Sequence, residues 1–129
     1  MTDPVAADHV DLAPGSVAWA DLAPVRGREP AGHRPVLVVA SARYLEAVTT
    51  LVVCVPVTSV DRGWPNHVPL RGATGLGRPS WAMTEQVRTL SRDRVTRTSG
   101  SVGTSTLQDV RTWLADFLDL EAPHLEVPH

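Results

Sequence analysis

Apolar residues are grouped along this chain in short continuous runs, which are separated by segments rich in proline and glycine. The longest runs are dominated by valine, leucine and alanine and show no alternation with polar residues, a pattern typical of strands that are buried on both faces. The predicted strands are residues 16–22, 34–40, 49–58, 67–70 and 81–90. Pro69 lacks a backbone N–H, which places the fourth strand at an edge of the sheet.

The C-terminal part of the chain has a helical period instead. Its apolar residues recur at intervals of three and four, which predicts one amphipathic helix. These residues are Leu107, Val110, Leu114, Phe117 and Leu118. The helix is expected to start at Thr104, with Thr104 or Ser105 as its cap, and to end before Pro123. Residues 41–48 are expected to hold one further helical turn. Short, closely spaced strands with one terminal helix predict a small curled sheet or barrel.

A chain of 129 residues supports one domain with a modest core. We predict a flexible acidic tail at residues 1–14, the barrel domain at 15–122 and a short tail at 123–129. No apolar run is long enough to span a bilayer, and the N-terminus lacks the basic start of a secretory signal, so a cytoplasmic protein is expected. The single cysteine, Cys54, excludes an internal disulfide and is expected to be a buried thiol.

The charge is distributed unevenly, although the net charge is only −2. Residues 1–25 carry four acids and no basic residue. Residues 26–97 carry eleven arginines against five acids, a local charge of +6, and residues 98–129 carry a local charge of −4. A basic centre between acidic ends is typical of a protein that binds a polyanion.

Four motifs occur in order between Val17 and Val95. They are RGREPAGHRP at 26–35, CVPVTS at 54–59, GWPNHV at 63–68 and WAMTEQVRTL at 81–90. Together they resemble the PemK/MazF family of mRNA interferase toxins, which has a Gly-x-Glu-x-x-Gly-x-Arg-Pro loop, a Pro-x-Thr strand end, a Gly-Tyr-Pro segment and an acidic-Gln-Val-basic strand. The chain departs from the family in its longer N-terminal tail and in Trp64, which replaces the common tyrosine.

The resemblance implies an SH3-like β-barrel of the CcdB/PemK type with a C-terminal helix. It also implies a two-fold homodimer that binds single-stranded RNA in a groove at the dimer interface, where a cognate antitoxin competes for the same surface. The activity implied is that of an endoribonuclease without a cofactor, with Arg34 and Thr58 in the catalytic positions.

The chemistry of metal-free RNA cleavage is consistent with these residues. The 2′-OH attacks its own phosphate, so the site needs a base, an acid and a group that stabilises the phosphorane. Arg34 is too basic to be the base but can hold two phosphate oxygens, and Thr58 can donate one hydrogen bond. Glu29, His33 and His67 are the candidate bases, and the resemblance favours Glu29. His33 precedes Arg34 on the predicted strand, which places their side chains on opposite faces.

Further side chains are expected to hold the RNA. The predicted RNA-binding residues are Trp19, Arg26, Arg28, His33, Ser59, His67 and Gln86. Trp19 can stack on a base, whereas Gln86 can either line the groove or satisfy a buried backbone group. The five histidines lack metal-ligand spacing, so no metal is expected.

Each assignment has a plainer alternative. Without the motifs, Arg34 would be a strand-start charge paired with Glu29, and Thr58 an ordinary strand residue. Two other functions also remain open. One is a non-catalytic toxin of the related CcdB-like barrel that poisons DNA gyrase, and the other is an inactive relative that only binds an antitoxin.

Overall fold

The computed structural model describes residues 10–22 and 32–121, which form an antiparallel sheet and a C-terminal helix. The strands are β1 (Ser16–Asp21), β2 (His33–Val38), β3 (Leu51–Thr58), β4 (His67–Pro69), β5 (Trp81–Met83), β6 (Arg88–Ser91) and β7 (Val95–Ser101). The helices are α1 (Ala42–Ala47) and α2 (Thr104–Phe117), and 3-10 turns lie at Thr84–Gln86 and Arg92–Arg94. No helix in this part of the chain is long and apolar enough to cross a membrane.

The strands are arranged in the order β4-β5-β3-β2-β1-β7, and β6 pairs with β3 beside β5. β3 is therefore shared on one side by two strands: its first half pairs with β6 and its last two residues with β5. The predicted mainly β, barrel-like fold with a C-terminal helix is confirmed. The sheet is not closed by hydrogen bonds within the described residues, since β4 and β7 remain its two edges. Pro69 in β4 is at an edge, as predicted.

Both faces of the central strands are buried, which explains their continuous apolar runs. In β2, Val36 and Val38 belong to one core cluster, and the intervening Leu37 to another. The first cluster is covered by Leu45 of α1, and the second by Val110 of α2. Because successive side chains point to opposite faces, a strand between two such layers has to be apolar at every position.

The prediction of one continuous strand at 81–90 is wrong, because a 3-10 turn at Thr84–Gln86 divides this segment into β5 and β6. The reason is the pairing with β3. Val57 lies opposite Ala82, whereas Cys54 lies opposite Arg88. An uninterrupted strand would place residue 85 opposite Cys54, so the observed pairing is offset by three residues. The 3-10 turn takes up this offset. Thr84 fixes the turn because its hydroxyl is fully buried and donates to the Asn66 carbonyl at 2.7 Å.

Two features at the end of the chain also differ from the sequence-based expectation. β7 was not predicted, because VTRTSGS contains one valine that is buried and otherwise polar residues and glycine. It pairs with β1 through two register irregularities and forms a sheet edge. The helix α2 starts at Thr104 as predicted, but Gly103 is its N-cap and no side chain caps it. Ser41 does cap α1, accepting from the Tyr44 amide at 3.0 Å.

The segment before β1 and the single thiol complete the core. Val10 and Leu12 pack against the first cluster, whereas residues 1–9 of the expected tail and residues 123–129 lie outside the described residues.

Cys54 is fully buried, as predicted. Burial raises the pKa of its thiol to about 12, against a smaller opposing effect of the Arg88 charge. The thiol is therefore a neutral core side chain at ordinary pH.

Candidate functional site

Arg34 and Thr58 meet at one end of the β2–β3 ladder. Val36 lies opposite Pro56 in this antiparallel pair, and continuing the register by two residues places Arg34 opposite Thr58 on the same face. Both line a cavity of about 400 Å³. The cavity is lined by Trp19, Arg34, Pro35, Val57, Thr58, Ser59, Gly75, Leu76, Gly77, Arg78 and Ser80.

Arg34 is half-buried at the second position of β2. Its Nη2 atom is 3.5 Å from the Val57 carbonyl oxygen, which is a long and weak hydrogen bond. Within the described residues, its remaining N–H groups have no acceptor. The guanidinium is therefore directed along the cavity wall with donors available for an anion.

Thr58 is the last residue of β3 and is only 3% exposed. Its Oγ1 atom accepts a hydrogen bond from the Val60 amide at 3.1 Å, which fixes the side-chain rotamer. A threonine hydroxyl both accepts and donates, so this bond leaves the hydroxyl hydrogen for a partner in the cavity. Ser59, the next residue, also lines the cavity.

Trp19 of β1 lines the same cavity, and its ring also contacts Arg97 and His33. The Arg97 guanidinium carbon is 5.0 Å from the centre of the indole ring, and the His33 ring centre is 5.5 Å away. Nε2 of His33 is 2.9 Å from Oγ1 of Thr96, whose hydroxyl donates to the Trp19 carbonyl. His33 is thus exposed beside Trp19 and is not part of the cavity lining, in agreement with its expected orientation away from Arg34.

His67 lies in a separate polar network. It is 5% exposed, and its Nε2 atom is 3.0 Å from both carboxylate oxygens of Glu85. Asn66 donates to the same carboxylate at 2.7 Å, and the Trp64 ring centre is 4.7 Å from the His67 ring centre. This network anchors the end of the loop that follows Thr58, and His67 does not line the cavity.

The remaining predicted site residues either do not line the cavity or lie outside the described residues. Gln86 is half-buried in the 3-10 turn and is not among the cavity-lining residues. Glu29, Arg26 and Arg28 lie outside the described residues. Across residues 10–22 and 32–121, no group of three or more His, Cys, Asp or Glu side chains is placed to hold a metal ion.

One wall of the cavity, formed by residues 75–78 and Ser80, is not among the predicted site residues. These residues lie in a glycine-rich loop without hydrophobic periodicity, so the sequence contained no signal beyond the positive charge of Arg78. Among the described residues, the lining includes Arg34 and Arg78 and no aspartate or glutamate. The electrostatic character of the cavity therefore suits an anion.

Residues 13–118 match the family described as PemK-like, MazF-like toxin of type II toxin-antitoxin system. This chain belongs to that family. The match covers every described strand and α2, and it includes all the residues that line the cavity. The family predicted from the four motifs is thereby confirmed.

Individual PemK/MazF relatives are similar over most of their length. Endoribonuclease toxin MazF of Escherichia coli (strain K12) is 34% identical over 98 residues, which cover 75% of this chain and 85% of the relative. The crystal structure of MazF from Deinococcus radiodurans superposes with a TM-score of 0.74 at 28% identity, covering 84% of this chain and 97% of that one. A MazE-MazF structure from the same organism gives a TM-score of 0.69 at 27% identity, covering 85% and 98%.

Proposed function

We propose that this endoribonuclease toxin cleaves single-stranded RNA, mRNA in particular, at specific sequences and without a metal ion. The observation that carries the proposal is the juxtaposition of Arg34 and Thr58 in one cavity whose lining also includes Arg78. The Escherichia coli MazF relative named above is an endoribonuclease by name, which supports the same chemistry here.

In the proposed reaction, the 2′-oxygen attacks the adjacent phosphorus and the bond between phosphorus and the 5′-oxygen breaks. The 2′-OH proton passes to a base, and the departing 5′-oxygen receives a proton from an acid. The products are a 2′,3′-cyclic phosphate and a 5′-hydroxyl. Arg34 stabilises the negative charge of the phosphorane through a bidentate contact, and the Thr58 hydroxyl donates to one of its oxygens.

Glu29 is the proposed base. The positions of the two histidines favour it, since His67 is held by Glu85 away from the cavity and His33 is turned towards Thr96. Trp19 supplies an aromatic surface for a base beside the scissile phosphate. Ser59 is proposed to bind the same strand from the cavity wall.

Arg26, Arg28, His33, His67 and Gln86 are also proposed to contact the RNA. The proposed partners are a second copy of this protein and a cognate antitoxin that relieves growth inhibition. The MazE-MazF structure supports the antitoxin partner by its similarity. An acidic, partly disordered antitoxin segment would match the cationic cavity and bind less tightly as salt increases. We place the protein in the cytoplasm.

The decisive experiment incubates the purified protein with end-labelled single-stranded RNA, with and without EDTA, and identifies the product ends. Cleavage that persists in EDTA and leaves a cyclic phosphate is the expected result. A requirement for added divalent ion would refute the metal-free mechanism. A parallel gyrase supercoiling assay tests the alternative of gyrase poisoning, which predicts inhibition of gyrase with intact RNA.

A further inference from the structure

The cavity has a second guanidinium that the proposed chemistry does not use. Arg78 lines it from the loop between β4 and β5, and its side chain is exposed. Its backbone carbonyl accepts from the Ser80 hydroxyl at 3.0 Å. Within the described residues, the guanidinium itself has no hydrogen-bond or ion-pair partner.

The loop that carries Arg78 is fixed to β7 by close backbone packing. A Cβ atom added to Gly75 would lie 2.1 Å from the Ser99 carbonyl oxygen, and one added to Gly100 would lie 2.0 Å from the Ala73 carbonyl oxygen. Gly75 also has a φ of +75°, which only glycine adopts readily. The Ser99 hydroxyl donates to the Thr74 carbonyl at 2.7 Å. These contacts fix residues 73–75 against β7, and the same loop places the exposed Arg78 at one side of the cavity.

The two guanidinium groups of the cavity favour more than one phosphate. A volume of about 400 Å³ is in the range of sites that hold drug-sized ligands. Arg34 occupies one side with Thr58, and Arg78 occupies the glycine-rich wall. Among the described lining residues there are two cations and no carboxylate, which favours a polyanion.

We propose that Arg78 binds the RNA phosphate adjoining the scissile one, so that the glycine-rich wall sets the position of the RNA backbone in the cavity. The inference rests on the proposed function and deepens it by naming a second phosphate-binding subsite. A contact to a non-reacting phosphate is equally strong before and during the reaction. Arg78 therefore contributes to RNA binding, and its loss raises KM while kcat at saturating RNA changes less than about twofold.

The test compares Arg78→Ala with Arg71→Ala, a control in the same loop that removes the same charge outside the cavity lining. Binding is measured with an RNA carrying a 2′-O-methyl group at the cleavage site, so that it cannot react. The expected loss for Arg78→Ala is about tenfold, the lower end for a hydrogen bond to a charged group. The slope of log K against log salt should fall by about 0.7, the value for one phosphate contact of a single strand. Arg78→Lys should restore this slope and only part of the affinity.

The outcomes separate this inference from the proposed function. If Arg78→Ala and Arg71→Ala have the same affinity and the same salt slope, Arg78 binds no phosphate and the inference is wrong. Unchanged RNA binding together with weaker binding of an acidic antitoxin peptide would also overturn it. If wild-type protein leaves RNA uncut, the proposed function fails, and the binding measurement still tests Arg78 independently. A thermal melt of each variant excludes unfolding as the cause.

Discussion

Replacing Arg34 with alanine should remove most of the RNA-cleaving activity while the fold remains intact. The structure gives the reason for both expectations. The side chain is half-buried at the end of a strand, and its single hydrogen bond to protein within the described residues is the weak 3.5 Å contact with the Val57 carbonyl. Its removal creates no enclosed cavity, so the expected change in the free energy of unfolding is within about 1 kcal/mol.

The effect on the reaction should be much larger, because the phosphorane carries more negative charge than the diester. Loss of one fixed donor of this kind costs about 3–4 kcal/mol in the transition state, which corresponds to a rate about one hundred to one thousand times lower. Arg34→Lys should also be impaired, since an ammonium group cannot make the bidentate contact. Arg71→Ala is the matched control, because it removes an arginine that does not line the cavity.

The assay is a single-turnover cleavage rate at saturating enzyme, measured beside a thermal melt of each variant. Single turnover isolates the chemical step from product release. If Arg34→Ala cuts RNA within a few-fold of the wild-type rate, Arg34 does not stabilise the transition state and the catalytic assignment is wrong. If the variant unfolds instead, Arg34 is a structural residue, which is the plainer alternative.

Three further outcomes are expected. Thr58→Val keeps the shape of the side chain but removes the hydroxyl that accepts from the Val60 amide. The single-turnover cleavage rate should fall about a hundredfold. The thermal melt of this variant must stay close to that of wild type for this interpretation to hold. Ser99→Ala removes the 2.7 Å bond to the Thr74 carbonyl and should weaken binding of the uncleavable RNA a few-fold with kcat unchanged; an effect on kcat alone would contradict the role of the wall. Burial raises the pKa of Cys54 from 9.0 to about 12. The stability contributed by the neutral thiol is therefore complete below pH 9 and is lost as the pH rises towards 12. In this range the free energy of unfolding should fall by about 1.4 kcal/mol per pH unit. Denaturant titrations should show this slope in wild type and its absence in Cys54→Ala.

Several elements were predictable because their physical cause lies in consecutive residues. β2 and β3 are buried on both faces, which produces apolar runs without polar interruption, and α2 has one apolar side facing the second core cluster. The ends of the first three strands were predicted to within two residues. Pro69 marked an edge strand because proline cannot donate to a neighbouring strand.

Other features depend on contacts between distant parts of the chain and gave no such signal. β7 is an edge strand whose exposed positions are polar, so its sequence resembles that of a loop. The break at Thr84–Gln86 follows from the offset pairing of β5 and β6 with β3. The wall that carries Arg78 is held by packing of Gly75 against Ser99. The family motifs led to Arg34 and Thr58, but no motif pointed to Arg78.

The relation between the core and the site follows from the register of β2 and β3. Arg34 lies two residues before Val36, and Thr58 lies two residues after Pro56, which is the residue opposite Val36. A slip of one residue would turn every side chain of β2 to the opposite face. Because β2 and β3 are packed on both faces, such a slip would displace two core clusters at once. The shared position of Arg34 and Thr58 in the cavity lining is therefore set by the burial of the valines in β2 and β3.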